Sequence, residues 1–540
     1  MNHAIKTCRL FKLSSLGLIS LALSACALER ASQPPPQNQV KNTWYSDGRA
    51  SIQTKKAFFP LVSHGKAKNV ILFVGDGMGI STLTASRILE GQLKGQSGEE
   101  NYLSFERFPF SGLSKTYNTD QQTPDSAGTM TAMMTGVKTD AGIISIAQAV
   151  EKSNCASGKG HELVTALEFA ELAGMSTGVV STARITHATP AATFSRAASR
   201  NWESDSDVPD TEKDCHDIAR QLIEFDKNLV ARYPNHKANG IEVVFGGGRR
   251  NFLPAEQQHN IESPNSEKIE GKRKDGRHLI NEWKNTYPNG QYVNSETEFK
   301  NMDPKQATHL MGLFNSSHMR YHQDRSNDAL GEPTLTDMTT MAIKKLKQNE
   351  EGFFLMVEAG RIDHSHHAGN AYNALHDTIE LSNAVKQAQQ MVNPEETLII
   401  VTADHSHVMT MAGYPKRGNN ILGKVIAVNS TEPTIMQDGL PYTTLGYMNG
   451  RGMHDLAHET DADAVDEHPL NLGRKDISNI DTTQPGYHQE ALIPRESETH
   501  GGEDVGIYAT GPGAHLVSGV NEQNVIFHII THATGLVTPD

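Results

Sequence analysis

The chain has 540 residues, 37% hydrophobic and 21% charged, and its 63 Asp and Glu outnumber 49 Lys and Arg for a formal charge of -14. That length can bury a large core, as two to four domains or as one α/β domain with insertions. The acidic balance argues against a nucleic acid partner, which requires a basic surface, but leaves phosphorylated small molecules open because bound cations reverse a local field.

Taken from the N-terminus, Lys6, Arg9 and Lys12 precede the apolar stretch Leu13 to Leu23, the order of a secretory signal. The following Leu23-Ser24-Ala25-Cys26 resembles a bacterial lipobox, which makes Cys26 the lipidated first residue of the mature chain; an ordinary cleaved signal with an incidental cysteine is the alternative. Ala27 after it resembles the outer-membrane class, so an exported lipoprotein is expected, periplasmic or at the cell surface and anchored in the outer membrane. No later segment is apolar for long enough to span a bilayer. Residues 27–60, which include Pro34-Pro35-Pro36, read as a tether, and 61–540 as the folded domain. With Cys8 in the signal and Cys26 committed to lipid, Cys155 and Cys215 remain. An oxidising compartment suggests one disulfide, with two separate thiols as the alternative.

Three short apolar runs then end on or beside a carboxylate: Val70 to Val74 before Gly75-Asp76-Gly77-Met78-Gly79, Phe353 to Val357 before Glu358-Ala359-Gly360, and Leu398 to Val401 before Thr402-Ala403-Asp404-His405-Ser406-His407. Continuous β-branched and aromatic runs of this length read as buried parallel strands. Helical stretches alternate with them, which predicts an α/β fold: a three-layer sandwich with a large, mostly parallel central sheet flanked by helices. Such sheets bind ligands outside the carboxyl ends of their strands, so carboxylates gathered there predict metal ions. Two polar stretches interrupt the alternation. Residues 250–330 read as a surface excursion, and 413–490 as a small inserted region before the core resumes at Val505 to Ala509.

Asp363 and His367 stand four apart, so on a helical turn both face one way and can converge on zinc. Asp404 with His405, and His500 before another apolar run, offer the same ligand types; such sets without cysteine suit catalytic zinc, often as a pair of ions. Thr123-Pro124-Asp125-Ser126-Ala127-Gly128-Thr129 opens a helix-forming run. A serine at a helix N-terminus lies beside a positive dipole end that favours an anion, whereas the plain reading is a helix cap by Asp125 or Ser126. No Gly-x-Ser-x-Gly elbow is present, and activation of Ser126 by a neighbouring metal is the alternative to an elbow.

These motifs, with His187-Ala188-Thr189-Pro190 and Thr499-His500-Gly501-Gly502-Glu503-Asp504, occur in the order of the alkaline phosphatase family, which the chain resembles over roughly residues 68–535. The resemblance implies a first zinc on Asp363, His367 and His500, a second on Asp76, Asp404 and His405 next to the nucleophile Ser126, and a magnesium ion on Asp76, Thr189 and Glu358, with His187 acting through a water. It implies that Arg200 binds the substrate phosphate. Val208-Pro209, Asn201-Trp202, His187 and His364 resemble the animal branch, in which a disulfide pairing Cys155 with Cys215 would also match. That branch's calcium site has a Phe-Glu pair where this chain has Phe314-Asn315, so calcium is not expected. The stretch 413–490 falls where the family places a crown domain at its homodimer interface. The activity implied is hydrolysis of phosphate monoesters at alkaline pH through a phosphoserine. A phosphodiesterase or sulfatase on the same framework, or a non-catalytic zinc- or phosphate-binding lipoprotein, are the competing readings.

Overall fold

The computed structural model describes residues 32–58, 65–236, 238–255 and 271–537; the signal segment and Cys26 lie outside them. Strands β1 (Asn69–Gly75), β2 (Phe110–Lys115), β3 (Ser176–Arg184), β4 (Val243–Gly247), β5 (Gln291–Val293), β6 (Leu310–Leu313), β7 (Phe353–Ala359), β8 (Thr397–Ala403), β9 (Val505–Thr510) and β10 (Gly519–Glu522) make one sheet. Their spatial order is β10-β2-β9-β8-β1-β7-β3-β4-β6-β5. Pairing is parallel except at β9, which runs antiparallel to both β8 and β2.

Successive side chains of β1 feed opposite faces, as the strand period requires. Val70, Leu72 and Val74 join a core with the helices Ser126–Thr135, Ala166–Leu172 and Val525–Thr534, while Ile71 and Phe73 join one with Leu335–Leu346 and Ala371–Met391. Both faces of the sheet are therefore covered, which is why the central strands are apolar without alternation. The three-layer α/β fold expected from the sequence is the one observed.

Two expectations about the polar segments differ from the structure. Where a tether was expected up to residue 60, Gln37–Val40 and Thr43–Phe58 are helices that pack onto the body. The Gln39 side chain is fully buried, donates to the carbonyls of Thr135 and Val164 and accepts from the Val164 N–H. Tyr45 is buried against Phe527 and His528. The Gln39 hydrogen bonds together with the buried Tyr45 and Ile52 hold this segment down, without a longer apolar stripe to mark it, so its composition reads as that of a linker. The stretch 250–330 likewise contributes core: β5 and β6 extend the sheet, and the helix Leu279–Thr286 buries Leu279, Ile280 and Trp283. Strands of three and four residues are too short to read from periodicity.

Residues 413–490 form irregular chain around a small sheet of Met409–Met411, Leu445–Gly450 and Ala491–Pro494. It is seated on the helices Ile80–Leu93 and Ala371–Met391 through Leu89, Leu375, Ile421 and Leu445. Cys155 and Cys215 are bonded to each other, with their Cα atoms 6.2 Å apart. Among the described residues no helix is long and apolar enough to cross a membrane.

Candidate active site

Strand β1 lies between β8 and β7, with Val74 level with Thr402 on one side and Glu358 on the other. Asp76 and Asp404 follow the ends of β1 and β8, so this register brings three carboxylates to one rim of the sheet. The Gly77 N–H donates to Asp404 Oδ1 at 3.0 Å, tying the two strand ends together. Gly77 has φ +68, and a Cβ there would stand 2.2 Å from the His407 ring, so glycine is required on both counts.

The helix Arg361–His367 carries Asp363 and His367 on one face, with His367 Nε2 3.3 Å from Asp363 Oδ1. His500 arrives on a two-residue strand paired with Ser406–His407, and its Nε2 lies 3.4 Å from Asp363 Oδ1 and 3.2 Å from His367 Nε2. His405 Nε2 lies 3.5 Å from Asp76 Oδ1 and 3.2 Å from Asp404 Oδ2. Three groups among the described residues have side-chain atoms close enough for one ion: Asp363, His367, His407 and His500; Asp76, Asp363 and His405; Asp76, His187 and Glu358.

Asp125, not Ser126, caps the helix Ser126–Thr135, accepting from the Gly128 N–H. The Ser126 hydroxyl is thereby left for the site, 3.1 Å from His405 Nε2. Asp125 also holds Arg200, whose Nη1 donates to Oδ2 at 3.1 Å. Nη2 of Arg200 lies 3.0 Å from His187 Nε2. A guanidinium only donates, so that imidazole nitrogen accepts and Nδ1 carries the proton. Thr189 follows on the helix Ala188–Phe194. His364 lies beside His318, ring centroids 3.9 Å apart, and 5.6 Å from the His187 ring.

A pocket of about 380 Å³ opens over Ser126, bounded by Arg200, Asp363, His367 and His500. A larger cavity of about 790 Å³ lies behind Trp202, walled by Ile146, Phe194 and Phe225, and holds none of the ligand-type residues named above.

Burial pushes Asp76 well above the usual carboxylate range, and the charges of Asp404, Asp363 and Glu358 push it further. Burial raises Glu358 to about 7, and burial also raises Asp404. His405 falls well below its ordinary value through burial and the neighbouring His500. His367 falls to about 4, chiefly through burial. Neutral imidazoles among mutually repelling carboxylates make an environment that favours cations.

The residues fit metal ions on a second count. Both oxygens of Asp76, Oε1 of Glu358, Oδ2 of Asp404 and Oγ1 of Thr189 are buried without a hydrogen-bond partner. Carboxylate with imidazole suits zinc, and carboxylate with hydroxyl suits magnesium. At Phe314-Asn315 the Asn315 amide donates to Glu332 Oε1 at 2.9 Å, so that position presents an N–H to the carboxylate.

Several site residues were not singled out from sequence. His407 lies between two carboxylates, 2.6 Å from Asp363 Oδ1 and 2.5 Å from Glu498 Oε2. Burial opposes its charge, but these carboxylates push it up to about 10. The Ser181 hydroxyl donates to Glu358. Arg184 forks onto Glu203, with His318 alongside. For His407 a signal existed, two residues after His405; Ser181 and Arg184 sit near the end of β3, which carries no acidic motif.

The family described as alkaline phosphatase matches residues 67–536. The tissue-nonspecific alkaline phosphatase of Homo sapiens is 41% identical over 472 residues, 86% of this chain and 83% of that one. The Mus musculus isozyme is 42% identical over 519 residues, 95% of this chain and 92% of that one. Among solved structures, the Thermus thermophilus alkaline phosphatase aligns with a TM-score of 0.60 at 25% identity, over 87% of this chain and 92% of that one. The alkaline phosphatase of the Antarctic bacterium TAB5 aligns with a TM-score of 0.57 at 21% identity, over 88% and 99%.

Proposed function

The chain belongs to the alkaline phosphatase family and hydrolyses phosphate monoesters, and from that premise we propose which residues do so. Asp363, His367 and His500 hold one zinc ion, Asp76, Asp404 and His405 a second, and Asp76, Thr189 and Glu358 a magnesium ion. Bound, these ions supply Lewis-acid stabilisation of charge on the attacking and leaving oxygens.

Ser126 is the nucleophile. Its Oγ attacks phosphorus in line, the alcohol leaves with its oxygen, and the phosphoserine so formed is hydrolysed by water to inorganic phosphate. Arg200 binds two phosphoryl oxygens with its planar fork, which Asp125 holds in place. A monoester presents more charge to that fork than a diester, which favours the monoesterase over a phosphodiesterase or sulfatase. His187 and His364 stand behind the ligands, His187 acting toward the magnesium ion through a water.

The single observation that carries this reading is the set of buried, unpartnered oxygens of Asp76, Glu358 and Asp404 beside a serine excused from capping. Its test is Ser126→Ala: turnover of p-nitrophenyl phosphate is expected to vanish while two equivalents of zinc remain bound. Turnover that survives the substitution contradicts the assignment.

The sequence signal and Cys26 support an exported lipoprotein anchored at the outer membrane. A homodimer through the region 413–490 is supported by the exposed Tyr414, Met448, Leu492 and Ile493 on and beside its small sheet.

A further inference from the structure

Glu498 is buried beside the centre without being one of the proposed ligands. Its side-chain Oε2 lies 2.5 Å from His407 Nδ1 and 3.8 Å from His367 Nδ1, and Oε1 accepts from the Val408 N–H at 2.7 Å. The His407 ring passes the constraint on, because its Nε2 lies 2.6 Å from Asp363 Oδ1. The main chain of Glu498 makes a separate pair of contacts. Its N–H donates to the His367 carbonyl at 3.0 Å, and its own carbonyl lies 2.6 Å from His367 Nδ1. That leaves His367 Nε2 facing Asp363 and His500. His500 itself follows two residues later and pairs with His407 across the two-residue ladder.

One residue thus touches the supports of all three groups assigned to the first zinc ion. Outer hydrogen bonds of this kind fix the orientation of a metal-ligating imidazole or carboxylate, and losing one typically weakens the metal by about ten- to a hundredfold. A purely structural role would instead be confined to satisfying the Val408 N–H. Glutamine keeps the size of the side chain and an oxygen for Val408, but turns an N–H toward His407.

We propose that Glu498 is the positioning residue of the first zinc site, aiming Asp363 through the His407 ring and His367 through its main chain. This rests on the assignment of Asp363, His367 and His500 to one ion. Its test uses metal-free protein prepared by chelation and titrated with zinc against a chromophoric chelator, alongside the melting temperature of each metal-free form. Glu498→Gln is expected to weaken one of two zinc equivalents by about ten- to a hundredfold and to leave the other as in wild type, with a metal-free melting temperature lowered by loss of the buried pair with His407. His407→Gln is expected to reproduce the same selective loss and carries the test should Glu498→Gln fail to fold.

Unchanged binding of both equivalents, or equal weakening of both, as a general loss of stability would produce, overturns the proposal. Asp363→Asn separates it from its premise. If Asp363→Asn loses an equivalent while Glu498→Gln loses none, only the role of Glu498 fails. If Asp363→Asn keeps both, the ligand assignment itself fails.

Discussion

Two adjacent residues divide the work at the head of the helix Ser126–Thr135: Asp125 takes the cap, and Ser126 faces the metal-type residues. The sequence alone left either residue as the cap, because both types favour that position and only the fold decides which side chain turns back. Asp125 does more than cap, since burial opposes its ionisation but Arg200 and two backbone N–H groups hold its carboxyl below the usual range. Arg200→Ala should therefore lower kcat/KM for a monoester by about ten- to a hundredfold, the loss of a charge-assisted hydrogen-bond pair of about 1.5–3 kcal/mol. Steady-state kinetics with p-nitrophenyl phosphate check this, and an unchanged kcat/KM would remove Arg200 from phosphate binding. Gly77→Ala is expected to destabilise through its left-handed backbone by about 1–2 kcal/mol and to displace His407, read as a lower melting temperature together with reduced zinc content. Ligand residues were legible because their types and spacings carry chemistry. Glu498 was not, because a hydrogen-bond relay leaves no spacing rule in the chain; His407 stood two residues after His405 in the same motif, but nothing in the chain marked it as a relay rather than a ligand.

At the scale of elements, the helix Ala166–Leu172 is fixed from both ends of one side chain. Glu168 closes a capping box with Thr165 and, fully buried, pairs with Arg196 and Arg232. Burial opposes its charge, but the two guanidinium groups bring its pKa down to about 2. The stabilisation is present in full above the unfolded pKa of about 4.3 and is lost as pH falls through about 2. Glu168→Gln should cost about 3–5 kcal/mol at pH 7, as breaking a buried ion pair does, and should flatten the acid dependence of stability in that window. Denaturant melts at pH 7 and across that acid range check both effects; an acid dependence like that of wild type would assign the sensitivity to other carboxylates. The central strands were legible as elements because burial on both faces makes them continuously apolar. The helices over 37–58 and the strands β5 and β6 were not, the first being held by the Gln39 amide with Tyr45 and Ile52 and the others too short to show a period.

The whole molecule is a frame that forces like charges together. Ten strands set the register, the register puts Asp76, Glu358 and Asp404 at one rim, and the apolar layers on both faces deny them water. The folded state therefore carries a repulsion that cations relieve, so metal binding is linked to stability. Chelation should lower the melting temperature, and zinc with magnesium should restore it; equal melting with and without chelator would contradict that linkage. The most direct test of the account compares hydrolysis of p-nitrophenyl phosphate and bis-p-nitrophenyl phosphate at alkaline pH by the purified protein, with EDTA and then with zinc and magnesium restored. Strong preference for the monoester, abolished by EDTA and recovered with the metals, is the predicted result. Preference for the diester, or monoester turnover that EDTA leaves untouched, would contradict it.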